Sequence, residues 1–539
     1  MALAAQVTAR DDGNGGYVAR VGERLRTTAA QHPGRALGVL AAVAVLGTAL
    51  AAGWTDRLAL STAESKGAAL HVQVRGALPA RSATFRVAVR TMRTQLFADP
   101  AVAAVREQQR KRGTNSILLL VRLDVEGHRR DAAIRRIERN LDPGPLTLAF
   151  KGSVVGVRIA KDDAVDDLFL LLLALPFVAL IAAGPLGVRP AGAALLAAGA
   201  TSALSSLACE LLGGSIDVSW LALVGAAAGG TLMALQLCAM ARSGAGPAAL
   251  WASGLAAAAT FGAAAILGIG YLASLGLGGA LGSLLAVPAA QGAMGAVGAL
   301  EPPEGDGASR PWRGIGGLVG WSRVMGVVIA MLAFVVLAIA AVPAQRLATA
   351  AIGAVLAPTI SRPELGGAIG AAVAITVALG WAIGRRAGLA ILAAVAAAIP
   401  AVGAAGLLVV TFQEGRLEGF LDYTPSGAVQ LGSIGAAISV VAALCASQAV
   451  ALAWAARQVD DGVSGVERVR EAMGRCGPPA AAACLAGAMA GIALGFGSRS
   501  FVKEFGLGMA AGLVLELLIV QALIAPALVR LAAAGASRQ

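Results

Sequence analysis

Glu516 is a carboxylate in the middle of an almost unbroken apolar run, from Phe505 to Leu531, and Gln521 follows it by five residues. An ionisable residue at such a position in hydrocarbon is costly and usually faces a bundle interior or a water-filled cavity. We expect Glu516 to be buried and protonated, because removal from water disfavours the charged form of a carboxyl group. Two interpretations stay open: a proton-coupling group, or a neutral side chain that donates to a neighbouring carbonyl.

The apolar run around Glu516 repeats a pattern that occurs about 230 residues earlier. Gly506, Gly508 and Gly512 correspond to Gly276, Gly278 and Gly282, and the position aligned with Glu516 holds Ala286. This repetition predicts an internal duplication of a membrane unit, in which only the later copy carries the carboxylate.

The composition excludes an ordinary soluble protein, because 57% of residues are hydrophobic, only 14% are charged and the mean hydropathy is +0.75. Apolar windows long enough to span a bilayer recur along the chain, which predicts an all-α polytopic membrane protein. The five cysteines lie in or beside these windows without a CxxC motif, and the three histidines are scattered. We therefore expect no metal site and no cofactor. We also expect no enzymatic activity, since HExxH and GxSxG motifs are missing, and no nucleic-acid partner.

The predicted organisation is about twelve transmembrane helices, arranged as two pseudo-repeats of six, with one small α+β domain. The predicted segments are a cytoplasmic N-terminal segment 1–35, a first span 36–56, a domain 57–166, spans two to six in 167–300, a cytoplasmic linker 301–322, span seven 323–343, a short external loop 344–364, spans eight to twelve in 365–531 and a cytoplasmic tail 532–539.

The polar segment 57–166 carries alternating and helical apolar patterns in the order β-α-β-β-α-β, which is that of a ferredoxin-like unit. Its helix 83–97 is expected to bury Phe85, Val89, Met92 and Leu96. Its basic residues are interpreted either as a solvated face or as a surface for anionic lipid headgroups or wall polymer; they are Arg110, Lys111, Arg112, Arg129, Arg130, Arg135 and Arg136.

Most Arg and Lys residues between the spans fall in connections of one side, among them Arg189, Arg242 and Arg457. The positive-inside rule then predicts that both termini are cytoplasmic and that the domain 57–166 is extracytoplasmic, in a multi-pass protein of the plasma (inner) membrane.

One span, a large external domain, five clustered spans and a repeat of this layout resemble the resistance–nodulation–division (RND) superfamily, in its MmpL-type branch. The residues that carry the resemblance are Phe501–Gly508 leading to Pro526, Tyr423–Gly427 before the tenth span, and Ala164–Leu172 at the start of the second. The resemblance implies export or handling of a lipid or another hydrophobic compound.

Two features depart from that family. Its second external domain is replaced here by a short interval, Pro343 to Glu364, and its relay aspartates of spans four and ten are missing. The polar residues in those spans are Gln236 and Gln448, which cannot titrate and are interpreted either as remnants of the relay or as interhelical hydrogen-bonding groups. The candidate intramembrane site is therefore Glu516, Gln521, Gln448 and Gln236.

Two functions follow from these features. The first is an exporter of a hydrophobic molecule that Glu516 couples to protons. The alternative is a transport-inactive RND-fold protein that binds lipid or acts as a scaffold or accessory subunit. The expected partners are membrane lipids or a hydrophobic substrate, together with a second copy of the chain or another transporter subunit.

Overall fold

The computed structural model describes residues 17–54, 69–75, 82–109, 116–124, 133, 136–141, 146–151, 173–184, 186–212, 221–266, 270–300, 313, 363–384, 387–408, 411–412, 431–459, 465–497 and 500–536. Contacts divide the chain into two compact units. The smaller is Leu58–Asp166, and the larger combines Met1–Arg57 with Asp167–Gln539.

Helices dominate the described residues. In chain order they are α1 (Tyr17–Gln31), α2 (Pro33–Trp54), α3 (Ala83–Ala98), α4 (Leu173–Gly184), α5 (Val188–Leu212), α6 (Leu221–Arg242), α7 (Pro247–Ile266), α8 (Gly270–Leu300), α9 (Pro363–Gly384), α10 (Ala387–Ala396), α11 (Ala398–Leu408), α12 (Leu431–Arg457), α13 (Gly465–Gly495), α14 (Ser500–Leu515), a π-helix (Glu516–Ile524) and α15 (Ala525–Ala536).

Eight helical stretches in the described part of the chain are long and apolar enough to cross a membrane, and three shorter apolar helices accompany them. The predicted fold class, a polytopic helical membrane protein with a small sheet, is confirmed. The predicted seventh span, 323–343, lies outside the described residues, so the number of twelve spans stays a prediction.

The smaller unit contains a four-stranded antiparallel sheet formed by β1 (Ala69–Arg75), β2 (Val102–Gln109), β3 (Ser116–Leu123) and β4 (Thr147–Lys151). The strand order is β2-β3-β1-β4, which is the arrangement that a β-α-β-β-α-β ferredoxin-like unit requires. Alternate residues of β1 face α3, and all four apolar side chains predicted to be buried on that helix are buried.

A charged pair fixes the chain where α3 ends. The Arg136 guanidinium donates to both carboxylate oxygens of Asp99 at 2.7 Å, and Asp99 also accepts from the backbone N–H of Ala101. This hydrogen-bonded arginine holds the pKa of Asp99 below its usual value. Arg136 is therefore engaged within its own unit and is not a free surface cation.

Small residues hold the helices of the larger unit together. A methyl group added at Gly278 of α8 would lie 2.0 Å from the carbonyl oxygen of Ala222 on α6. At Gly225 of α6 the corresponding distance, to the carbonyl oxygen of Leu275, is also 2.0 Å. Backbone therefore lies against backbone, as small residues permit between membrane helices.

A long helix begins ahead of the predicted eleventh span. Helix α13 starts at Gly465 and continues through Pro478 and Pro479, and its Val469 and Met473 are buried in the core of the larger unit. The apolar side of its first turns is therefore covered by protein.

Candidate functional site

Glu516 is the first residue of a π-helix that separates α14 from α15. In an α-helix, residues five apart are separated by about 140° around the axis. A π-helix closes its hydrogen bonds between residues five apart, which brings Glu516 and Gln521 to one side of the helix. Their side chains are bonded, with Gln521 Nε2 donating to Glu516 Oε1 at 2.8 Å. Both side chains are buried.

Pro526 gives a physical reason for the wider helix at this point. A proline inside a helix has no N–H and its ring clashes with the carbonyl group four residues earlier, here that of Ala522. The carbonyl group of Ala522 lies within the π-helix. The last hydrogen bond of this element runs from the N–H of Ala525 to the carbonyl oxygen of Val520. The prolyl ring is thus accommodated by widening of the preceding turn.

Four polar side chains from three helices form a cluster around Glu516. On α12, the Cys445 thiol donates to Glu516 Oε2 at 3.2 Å, and Gln448 Oε1 accepts from Gln521 Nε2 at 3.0 Å. Gln448 Nε2 in turn donates to the sulfur of Cys484 on α13 at 3.1 Å. The structure thus brings together three of the four predicted site residues.

The surroundings of Glu516 suit a group that changes charge. Both of its oxygens accept hydrogen bonds, from Gln521 and Cys445, which stabilises the ionised form. Its partners in the described part of the chain include no lysine, arginine or histidine, so the ionised form is a buried charge without a counter-ion.

A small cavity of about 10 Å³ adjoins the cluster and is the size of one water molecule. Its polar lining is Glu516, Gln521, Gln448 and Cys445. Its apolar lining comes from α10 and the residue that follows it, from the later part of α12, from the π-helix and from α15; the residues are Ala393, Ala396, Ala397, Ala449, Leu452, Val520 and Leu528. The cavity thus lies on the side of Glu516 where Leu452 of α12 and Leu528 of α15 are found.

Gln236 belongs to a different cluster. Its Nε2 donates to the hydroxyl of Ser447 on α12 at 2.8 Å, and Ser447 also bonds to Ser253 on α7 at 2.6 Å. Within the described part of the chain, Gln236 Oε1 is buried without a hydrogen-bond partner. Because Ser447 and Gln448 are consecutive, α12 carries this cluster and the Glu516 cluster on different sides.

The sequence reasoning missed a second buried carboxylate on the last span. Glu504, on α14, is 2% exposed and accepts a hydrogen bond from the Ser433 hydroxyl on α12. Glu210 is also fully buried, near the end of α5. Both lie near predicted span ends, where a carboxylate is ordinarily in water, so the pattern gave no signal for burial.

The structure describes only some of the other groups considered in the sequence analysis. Of the seven basic residues interpreted above as a solvated face or a headgroup-binding surface, only Arg136 lies in the described part of the chain, where it pairs with Asp99. The five cysteines are free and buried. Among the described residues, no group of three or more His, Cys, Asp or Glu side chains could hold a metal ion.

Two solved structures of SecDF are similar to this chain. The structure of SecDF in its super-membrane-facing form shares 10% identity at a TM-score of 0.48, over 93% of this chain and 100% of that chain. The structure of the translocon-associated SecDF of Thermus thermophilus shares 11% identity at a TM-score of 0.45, over 93% and 99% of the two chains. No protein-family model and no curated protein sequence matches the chain.

Proposed function

We propose that this protein is an RND-type membrane protein that exports or handles a lipid or another hydrophobic compound, and that protonation of Glu516 drives it. The observation that carries the proposal is the Glu516 cluster: a buried carboxylate with two donors, no cationic partner among the described residues and an adjoining cavity. A proton-driven carrier needs a group inside the membrane whose two charge states favour different helix arrangements.

The proposed arrangement in the cell follows from the distribution of charge along the sequence. Both termini are cytoplasmic, the smaller unit is extracytoplasmic, and the membrane is the plasma (inner) membrane. Cargo enters from the bilayer, and the smaller unit receives or presents it. A second copy of the chain, or another transporter subunit, supplies the second external domain that the sequence lacks, and the protein acts as a carrier without enzymatic chemistry.

A second candidate function is a transport-inactive protein that binds lipid or serves as a scaffold or accessory subunit. The observation that favours it is the amide chemistry of Gln236 and Gln448, which occupy spans four and ten, where the resembled family has its relay aspartates. Both amides make hydrogen bonds between helices, which is what a purely structural role requires.

Proton uptake by the purified protein in liposomes tests the two functions, with wild type compared with Glu516→Gln. This substitution keeps the size of the side chain and removes its ability to titrate, so we expect proton flux in wild type and none in the variant. The matched control is Glu467→Gln, which changes an exposed glutamate paired with Arg470 and should leave the flux unchanged.

Equal proton flux in wild type and Glu516→Gln would eliminate Glu516 as the coupling group. Absence of flux in both proteins, with lipid co-purifying equally with each, would replace the exporter by the binding or scaffold function.

A further inference from the structure

Helices α12 and α14 lie side by side in a constant register. Ser433 is bonded to Glu504, and Cys445 is bonded to Glu516; each pair is 71 residues apart in the chain. Between them, methyl groups added at Gly508 and Gly512 would lie 3.0 Å from Ala437 Cβ and 2.6 Å from Val441 Cγ2, at the same separation. Four pairs therefore follow one another at intervals of four residues, along two parallel helices.

The two outer pairs are polar and the two inner pairs are not. Glu504, on α14, and Glu516, at the start of the π-helix that continues it, are 12 residues apart, a distance of roughly 18 Å along the helix axis. The space between them is closed by close contact of glycines with Ala437 and Val441, which leaves no room for water. A proton cannot cross this interval while the two helices remain in contact.

The opposite side of Glu516 is different, because the small cavity lies there. Its lining residues Leu452 and Leu528 come after Cys445 and Glu516 in their helices, whereas Val441 and Gly512 come before them. Glu516 thus has a cavity on one side and a sealed interface on the other, as a carrier with access from alternating sides requires.

We propose that the α12–α14 interface is the route by which water and protons reach Glu516 from the Glu504 end, and that the pairs Ala437–Gly508 and Val441–Gly512 are its closed gate. Glu504, bonded to Ser433, stands at the outer end of this route, where its carboxylate attracts cations once the helices part. This inference rests on the proposed function, since it gives the coupling group its second access path, which in the proposed orientation is the external one.

Cys445 is a natural reporter of the gate, since its thiol lies beside Glu516 at the end of the route. We would replace Cys209, Cys238, Cys476 and Cys484 with alanine in the full chain and measure labelling of Cys445 by charged methanethiosulfonate reagents in proteoliposomes. The variants are Gly512→Ala, whose methyl group pushes against Val441, and Val441→Ala, which removes two methyl groups without a clash. Gly262→Ala is the control, because a methyl group there would touch nothing within 4 Å.

We expect both gate variants to label at least about tenfold faster than the control, which corresponds to about 1.4 kcal/mol of weakened closure. Val441→Ala decides the matter if Gly512→Ala fails to fold. Labelling at the control rate in a folded gate variant would overturn the gate.

A second substitution tests the position of the outer end of the route. In the Val441→Ala background, Glu504→Gln should slow labelling by an ethylammonium reagent and not by an ethylsulfonate reagent, because only the cation is attracted by the carboxylate. A change that is equal for both reagents would exclude Glu504 from the route. None of these readouts needs proton flux, so failure of the route and failure of the proposed function are distinguished.

Discussion

The two halves of the membrane unit carry the same interface with different residues. In the first half, Ala222 and Ala226 of α6 contact Gly278 and Gly282 of α8, pairs that are each 56 residues apart. The predicted duplication aligns these glycines with Gly508 and Gly512. Both halves thus bring two helices together, α6 with α8 and α12 with α14, through glycines that recur every four residues.

The residues at the two ends of these interfaces separate the copies. The first half has Ser274 and Ala286 where the second half has Glu504 and Glu516, and both residues of the first half are buried. Its glycines meet backbone atoms, whereas Gly512 meets the side chain of Val441. The first interface is therefore a brace of backbone contacts, while the second has side chains between its helices, as the proposed gate requires.

The largest effect is expected when a carboxylate is placed in the first half, at the position that corresponds to Glu516. In the first half, the residue 56 positions before Ala286 is Gly230, which has no side chain that could donate a hydrogen bond to an acid at position 286. Ala286→Glu therefore buries an acid without a partner, and we expect a loss of stability of about 3–5 kcal/mol. Thermal unfolding of the detergent-solubilised protein measures the loss. Ala286→Gln, of equal size and without charge, is the control for overpacking, and a stable Ala286→Glu protein would show that the two interfaces are interchangeable.

Adding one methyl group to each interface should cost more stability in the first half than in the second. Gly278→Ala would place its methyl group 2.0 Å from a backbone oxygen, which cannot rotate away, so its cost should exceed the about 1–3 kcal/mol typical of overpacking. Gly512→Ala should remain within that range, since Val441 can adjust.

The double variant Gly512→Ala with Val441→Ala separates the two cases further. Removing the side chain that the new methyl group meets should restore part of the stability lost in Gly512→Ala, which a double-mutant cycle measures as coupling between the two sites. Gly262→Ala is the reference for the gain in helix propensity. Equal costs at Gly278 and Gly512 would contradict the distinction between the interfaces.

The sequence was sufficient to predict the parts of the fold that depend on apolar periodicity. The order of strands and helices in the smaller unit, and the buried face of α3, follow from residue patterns that repeat every two or about 3.6 positions.

The site could be predicted only in part, because its geometry depends on contacts between distant helices. Glu516 was recognisable as a carboxylate in an apolar run, but its approach to Gln521 depends on a π-helix, which periodicity based on the α-helix does not predict. The burial of Glu504 could not be predicted, because it depends on a neighbouring helix that carries Ser433, 71 residues away in the chain. The separation of Gln236 from Gln448 likewise depends on the orientation of α12, which presents Ser447 to Gln236 and Gln448 to Gln521.

The smallest effects on stability are expected for the two glutamines, and they should differ between Gln448 and Gln236. Gln448→Leu leaves an N–H of the buried Gln521 without its acceptor and should cost about 1–2 kcal/mol. Gln236→Leu removes a buried oxygen that has no partner among the described residues, and Ser447 keeps its bond to Ser253, so its stability should stay within about 0.5 kcal/mol of wild type. Thermal unfolding of both variants gives this comparison.

The stability of Gln236→Leu decides how its proton flux is interpreted. If Gln236 is only an interhelical hydrogen-bonding group, a variant of wild-type stability should also keep wild-type flux in liposomes. Flux that falls while stability is unchanged would mean that the polar side chain acts during transport, because packing alone does not require it. In that case the cluster of Gln236, Ser447 and Ser253 belongs to the coupling mechanism, and the first half would no longer be a passive brace.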